Sequence, residues 1–486
     1  MARLLGIASA GVCVIQFGAC AQYQHYQPAP LASATEASAY GARRLDDPAL
    51  AHILAAHGIP VRDSAWDSRQ LALAALYFRP DLSEAQRALA ATRAAEITAG
   101  VRPYPGVSAS AERAARADEG HLTPWTFSLT TGFTFELGGK RAARVTRARV
   151  ATLAARLRLE STAWQVIESA RQTGIVAFGA DVDLADAGAM AAALRTALGL
   201  LRDRYSEGQI SRADLARSET DVQTAAVAAM QAAGARTDAR SALARALAVS
   251  VRQVDQLPLR PALRAGCVTV DSLSLDTLET YALRTLPAVG AALADYAVAE
   301  ADLRVQVAQQ YPDVILGPGI AWGQGTRRWI LSLGFPRIAI DRARGPIAEA
   351  AARRAVQAAR VKVVQDAVLA AVDSGVASCW HVRREVEVAD SLVRASGEQV
   401  ALAQAAYQRG EIGRTELALT QLALVRAQRA QHQATQRTRA AGIALENATG
   451  MWLSGPPIEW RDIVIAPDEG VRSDRASSGG PPQHRK

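Results

Sequence analysis

Histidine and cysteine are scarce in this chain, with 7 and 4 among 486 residues. No histidine has the spacing of a zinc site; His52 and His57 stand near each other without cysteines or paired acids to complete one. A Walker loop, a GxSxG elbow and a nucleotide fingerprint are also missing, so the chain does not read as an enzyme and no cofactor is expected. Aromatic residues make up only 5%, and the net charge of +8 comes from arginines scattered along the chain. That pattern argues against a base-stacking or phosphate-tracking surface, and so against nucleic acid as a partner. No run of roughly 18 apolar residues follows the N-terminus, which excludes a transmembrane helix on this reading. Proline is absent between Pro124 and Pro258 and again between Pro346 and Pro456. Both windows are dense in Ala, Arg, Leu, Gln and Glu, which favour helix.

What is present is a repeat. YSEGQISRADLARSE begins at Tyr205 and YQRGEIGRTELALTQ at Tyr407. The pairs Gly208/Gly410, Ile210/Ile412, Arg212/Arg414, Gly132/Gly334 and Phe133/Phe335 keep that offset. Pro80/Pro287, Tyr104/Tyr311 and Pro105/Pro312 share a slightly longer one. One short segment between Pro105 and Gly132 therefore differs in length between the copies, as a surface loop can. The unit is far too long for a solenoid, so this is a duplicated domain.

Each copy reads as helix, strand, loop, strand and long helical hairpin. In WTFSLTTGFTF, over 125–135, Trp125, Phe127, Leu129, Phe133 and Phe135 share one face, and Thr, Ser and Gly fill the other. The second copy has WILSLGF within 329–336, and the partner strands are expected over 107–113 and 313–322. Transmembrane strands and half-buried soluble strands share this alternation. Long helices are expected over 139–205 and 340–407, with return helices over 210–249 and 412–449. A continuous helix from Gly139 to Tyr205 is about 100 Å long, although Gly174, Gly179 and Gly188 leave room for breaks. Four strands cannot close a barrel, and open edges cannot sit in lipid, so membranous strands require oligomerisation.

The ends have their own signatures. Residues 1–19 read as an export signal, with Arg3 followed by an apolar run. FGAC, ending at Cys20, resembles a lipobox with Phe17 where leucine is usual, which makes Cys20 the lipidation candidate and 20–68 a lipid-anchored segment. Cleavage after Ala21 is the competing reading. Cys267 and Cys379 fall in a linker and a long helix, which argues against a disulfide between them. The repeats are bounded at 69–250 and 279–450 around a linker at 251–278. A final segment over 451–486 carries a Gly-, Pro- and Ser-rich tail expected to be disordered.

A twofold repeat of helix, two strands and a long hairpin with YxxG at its turn resembles the TolC family of outer-membrane efflux proteins. RPDL at Arg79 and YP at Tyr104 are similar to that family's first half. The resemblance covers about Gln70 to Gly450. It implies a mostly α fold with a small β part: a homotrimer with an α-helical barrel tunnel and one shared twelve-stranded transmembrane β-barrel. Segments 31–68, 251–278 and 451–465 would build an equatorial belt. The implied role is a passive outer-membrane duct reaching into the periplasm. Its partners would be outer-membrane lipid, a periplasmic adaptor (a membrane fusion protein) and an inner-membrane resistance-nodulation-division pump. Tyr205, Gly208, Tyr407 and Gly410 would mark the periplasmic tip and gate, with Arg212, Asp214, Arg414 and Glu416 as rings of charge able to hold it shut or select cations. An acid at an exposed helix start gives the same pattern through the helix dipole alone. FELGGKRAARV from Phe135 resembles cobalt-zinc-cadmium efflux components, leaning the cargo towards metal cations or drugs; Gly-Gly before basic residues is also a generic strand-to-helix turn. A type I protein secretion duct and a periplasmic coiled-coil scaffold lipoprotein are the alternatives.

Overall fold

The computed structural model describes residues 26, 28–30, 32–59, 65–114, 124–261, 267, 274–323, 325–335, 343–453 and 457–464. The export signal, Cys20 and the tail from 465 onward lie outside them. Contacts divide the chain into two units, Met1–Ala42 and Arg43–Lys486. The first contains α1, Ser33–Ala42, which buries no side chain.

The second unit begins with α2 (Pro48–Ala56), α3 (Ser68–Phe78) and α4 (Pro80–Gly100). Asp67 caps α3 in a capping box, accepting from the Arg69 and Gln70 N–H groups while the Gln70 side chain accepts from Asp67 N–H. Pro80 then opens α4, and in the second repeat Pro287 opens the equivalent helix. Proline suits a first helical position because the N–H it lacks would have no partner there. It also forces the residue before it, Arg79 or Leu286, into extended backbone, separating each short helix from the longer one that follows.

Strands β1 (Gly106–Arg113) and β2 (Trp125–Phe135) lead to α5 (Lys140–Ser206) and its return helix α6 (Arg212–Leu247). A short α7 (Val251–Asp255), then α8 (Leu275–Thr285) and α9 (Pro287–Gln309), begin the second pass. β3 (Val314–Gly323), β4 (Thr326–Gly334), α10 (Arg344–Gln408) and α11 (Arg414–Thr449) follow, and α12 (Trp460–Val464) closes it. The fold is thus mostly helical with one small antiparallel sheet, built by duplication.

α5 is unbroken over 67 residues, so its glycines are not hinges. At Gly174 a Cβ would lie 2.5 Å from Leu71 Cδ1, so that glycine admits close approach of α3. α5 is also long and apolar enough, by length and composition alone, to cross a membrane. This corrects the expectation that no helix would pass that test; alanine content satisfies it without a long run of large apolar side chains.

Return helices of 36 residues span about 54 Å, roughly half of α5 or α10. α4 and α9 pack against the strand-proximal half of α5, and α6 and α11 against the rest. Arg147–Asp302 (2.7 Å), Arg158–Asp295 and Arg354–Glu300 (3.0 Å) tie α9 to both long helices. The main core lies midway, where Leu71 and Leu73 of α3, Leu159 and Ile167 of α5, Leu243 and Leu247 of α6, Leu278 of α8, and Ile458 and Trp460 converge. Within it the buried Arg171 pairs with Glu446, donates to Asn447 Oδ1 at 3.2 Å and covers the Trp452 ring at 4.5 Å. The second Glu446 oxygen accepts the Leu453 N–H at 3.0 Å, so both repeats and the C-terminal segment meet in one polar cluster, in which the buried Arg171 Nε is left without a hydrogen-bond partner.

Cys267 and Cys379 form a disulfide, correcting the expectation from sequence. The chain between the repeats returns to the middle of α10, bringing the two Cα atoms to 5.2 Å, well inside disulfide range. Both half-cystines are fully buried beside Ala441 and Leu445 of α11. Whether a segment is linker or helix does not restrict pairing; the approach of the backbones does.

Candidate functional site

The sheet has the order β1-β2-β3-β4, all antiparallel. Its central pair, β2 and β3, comes from different repeats. Register sets Phe127 opposite Trp322, Leu129 opposite Ile320 and Phe135 opposite Val314, and Leu316 and Ile320 in turn opposite Leu333 and Trp329. The aromatic side chains and most of the large aliphatic ones of the strands therefore fall on one face. Among the described residues nothing covers that face: Trp329, Leu331 and Leu333 are 87%, 73% and 61% exposed. The eleven residues of β2 rise about 36 Å, or about 25 Å at the usual tilt of membrane strands, the height of a lipid-facing band.

The opposite face carries mainly small and polar residues, with Ile315 and Ile330 as its large apolar members. Ser108 and Thr130 hydroxyls meet at 2.7 Å, as do Ser110 and Ser128. Beside this ladder run Gly317, Gly319 and Gly323, where a Cβ would fall 2.2, 2.5 and 2.6 Å from Ser332 Oγ, Thr130 Cγ2 and Trp125 O. This glycine row lets neighbouring strands approach closely on that face. Its signal, glycine at alternate positions of VILGPGIAWG, is visible in the sequence, but only the strand pairing shows what the glycines approach. β1 and β4 each leave one edge unpaired in the sheet.

At the other end of the long helices, both reversals use the same device. Gly208 N–H donates to Tyr205 O and Gln209 N–H to Arg204 O, each at 2.9 Å; Gly410 donates to Tyr407 O at 3.0 Å and Glu411 to Ala406 O at 2.9 Å. Both glycines have φ +74, the left-handed conformation such Schellman turns require. Tyr205 and Tyr407 occupy the last turns of α5 and α10.

The charges at these tips are not arranged alike. Ser211 caps α6: its Oγ accepts the Asp214 N–H at 3.2 Å and donates to Asp214 Oδ2 at 2.7 Å. That hydrogen bond lowers the Asp214 pKa below the ordinary value. Arg217 lies 3.6 Å from Asp214, whereas Arg212 turns to Glu219 at 3.1 Å, joined there by Arg202 at 3.6 Å. In the second copy Gly413 stands at the cap position without a side chain to offer. Arg414 and Glu416 are exposed, and no ion pair involves either among the described residues. Among the described residues no ion pair joins Arg212 to Asp214 or Arg414 to Glu416, since residues two apart on a helix point in different directions.

The Gly-Gly motif is explained by its turn. Gly138 and Gly139 have φ +67 and +71, and a Cβ on Gly138 would overlap the Tyr311 ring at 2.4 Å. Among the described residues no group of His, Cys, Asp and Glu could hold a metal ion.

Residues 71–249 match the family model for outer membrane efflux protein. No curated protein matches the sequence. The fold is similar to that of the outer membrane protein VceC from Vibrio cholerae, 18% identical, covering 79% of this chain and 96% of that one at a TM-score of 0.62. It is similar as well to the CmeC outer membrane channel of Campylobacter jejuni (13% identity, 95% and 94% coverage, TM-score 0.61). The open state of the MtrE outer membrane channel of Neisseria gonorrhoeae is a third likeness (19% identity, 80% and 89% coverage, TM-score 0.58).

Proposed function

We propose that three copies of this chain assemble into one outer-membrane conduit, a passive exit duct for a tripartite efflux system. The sheet carries this reading: an exposed, largely apolar face, an opposite face of mainly small and polar residues, and two edges whose N–H and C=O groups lipid cannot satisfy. Pairing β4 of each copy with β1 of the next removes every edge and yields twelve strands. The long helices would continue from the barrel as a tunnel towards a periplasmic adaptor and an inner-membrane pump, which supplies the energy. The buried disulfide fits an exported protein, since such bonds persist in oxidising compartments.

In this assembly the Gly208 and Gly410 turns form the tip, where Asp214 and Glu416 would each recur three times around one axis. Asp214 is already engaged by Ser211 and Arg217, so Glu416 and Arg414 are the charges most available to a neighbouring copy or an adaptor. Metal cargo rests on the resemblance of the Gly138-Gly139 segment, which the turn itself requires; the conduit does not depend on it. Planar-bilayer recording tests the proposal. Purified protein should give discrete single-channel conductances, and Arg414→Ala with Glu416→Gln should change ion preference while the oligomer persists. A protein that never conducts, or a double substitution with wild-type conductance and selectivity, would remove the conduit or the gate respectively.

A further inference from the structure

The sheet treats its charges differently at its two ends. At the helix-proximal end Lys140 pairs with Asp313 at 2.7 Å and Arg144 grips both oxygens of Glu136. At the hairpin end, two arginines lie on the apolar face. Arg113 stands opposite Trp125, and Arg327 opposite Trp322, which is itself opposite Phe127. Both arginines are exposed, and no ion pair involves either among the described residues. Arg113 instead lies over the Trp125 ring at 5.9 Å. Stacked Trp125, Phe127 and Trp322 rings continue the belt, with centroids 6.3 and 6.0 Å apart.

An arginine on a lipid-directed face is costly at mid-depth and tolerated at the interface, where its head reaches the headgroups and tryptophan rings also settle. A guanidinium there meets phosphate oxygens in the bidentate geometry it favours. Building on the barrel reading above, closure would set the β4 edge of one copy beside the β1 edge of the next. Arg327 and Arg113 would then gather at three seams.

We propose that this distal aromatic-basic rim is a binding surface for anionic, phosphate-bearing lipid headgroups of the leaflet it faces. The test is native mass spectrometry of the full-length protein released from mixed micelles holding equal phosphatidylglycerol and phosphatidylcholine. Wild-type trimer should retain phosphatidylglycerol preferentially, by about fivefold for each engaged arginine. The preference should shrink as salt rises towards about 1 M, where the screening length falls to about 3 Å. Arg113→Gln with Arg327→Gln should bring retention to parity, and Arg113→Lys with Arg327→Lys should preserve part of it.

The spectrum also reports assembly. A trimer that retains both lipids equally overturns the rim and leaves the barrel standing, as does a glutamine variant with undiminished preference. Displacement of the lipid by millimolar inorganic phosphate would show an ion site in place of a headgroup surface. Wild-type protein found as a lipid-free monomer overturns the barrel and the rim together. If the glutamine variant fails to assemble, the salt series on wild type and the lysine variant decide the matter.

Discussion

Ala248 holds φ 54, a left-handed backbone that Cβ disfavours, and it ends α6 just as Gly450, at φ 73, ends α11. The repeat therefore contains its own comparison. Ala248→Gly should stabilise the protein by about 1 kcal/mol by relieving that strain. Gly450→Ala should cost about 1–2 kcal/mol, because the new Cβ also meets Thr285 Oγ1 at 3.3 Å and Leu286 Cδ2 at 3.4 Å. Thermal melting of both variants checks the opposite signs. A second residue sets a pH dependence. Burial pushes Glu168 in the equatorial core up from 4.5 to about 7, and its neighbour Arg171, also desolvated, down to about 10. Between those two Glu168 values the folded chain holds a proton that the unfolded chain has released, so its contribution is full below about pH 4.5 and is lost as pH rises through about 7. Glu168→Gln should remove that loss, melting above wild type by the equivalent of about 2 kcal/mol at about pH 8 and matching it at about pH 4.

At the scale of elements, the strands and hairpins were legible because their periods are strong. Alternation in Trp125–Phe135 and the proline-free windows left few other structures for those segments. The matching glycines Gly208 and Gly410 marked both reversals. Pairing of β2 with β3 was not legible, since the two strands are far apart in sequence and either could have met another neighbour. The asymmetry of the tips turns on single atoms, the Ser211 hydroxyl against the bare Gly413, and only geometry shows that it diverts Asp214. The disulfide was not legible, because Cα separation and not segment type decides pairing. It closes a loop across 112 positions and fastens the chain between the repeats to α10. Cys379→Ser should therefore destabilise by about 2–5 kcal/mol. In melting experiments reductant should lower the wild-type midpoint towards that of the variant and leave the variant unchanged.

Over the whole molecule, the two repeats contribute unequal parts to one object. Each supplies a hairpin to the sheet and a helical hairpin to the long axis, and the belt of α3, α8, α12 and the Arg171–Glu446 cluster binds them at mid-length. Among the described residues nothing closes the sheet. On the proposed reading its apolar face and its two edges are completed by other copies and lipid, so subunit number is where the account is most exposed. The deciding measurement is the mass of the full-length protein extracted from membranes in mild detergent, by native mass spectrometry or by light scattering corrected for bound detergent. The account predicts three chains per particle. A monomeric particle that retains the folded sheet, or a closed assembly of a different number, would contradict it.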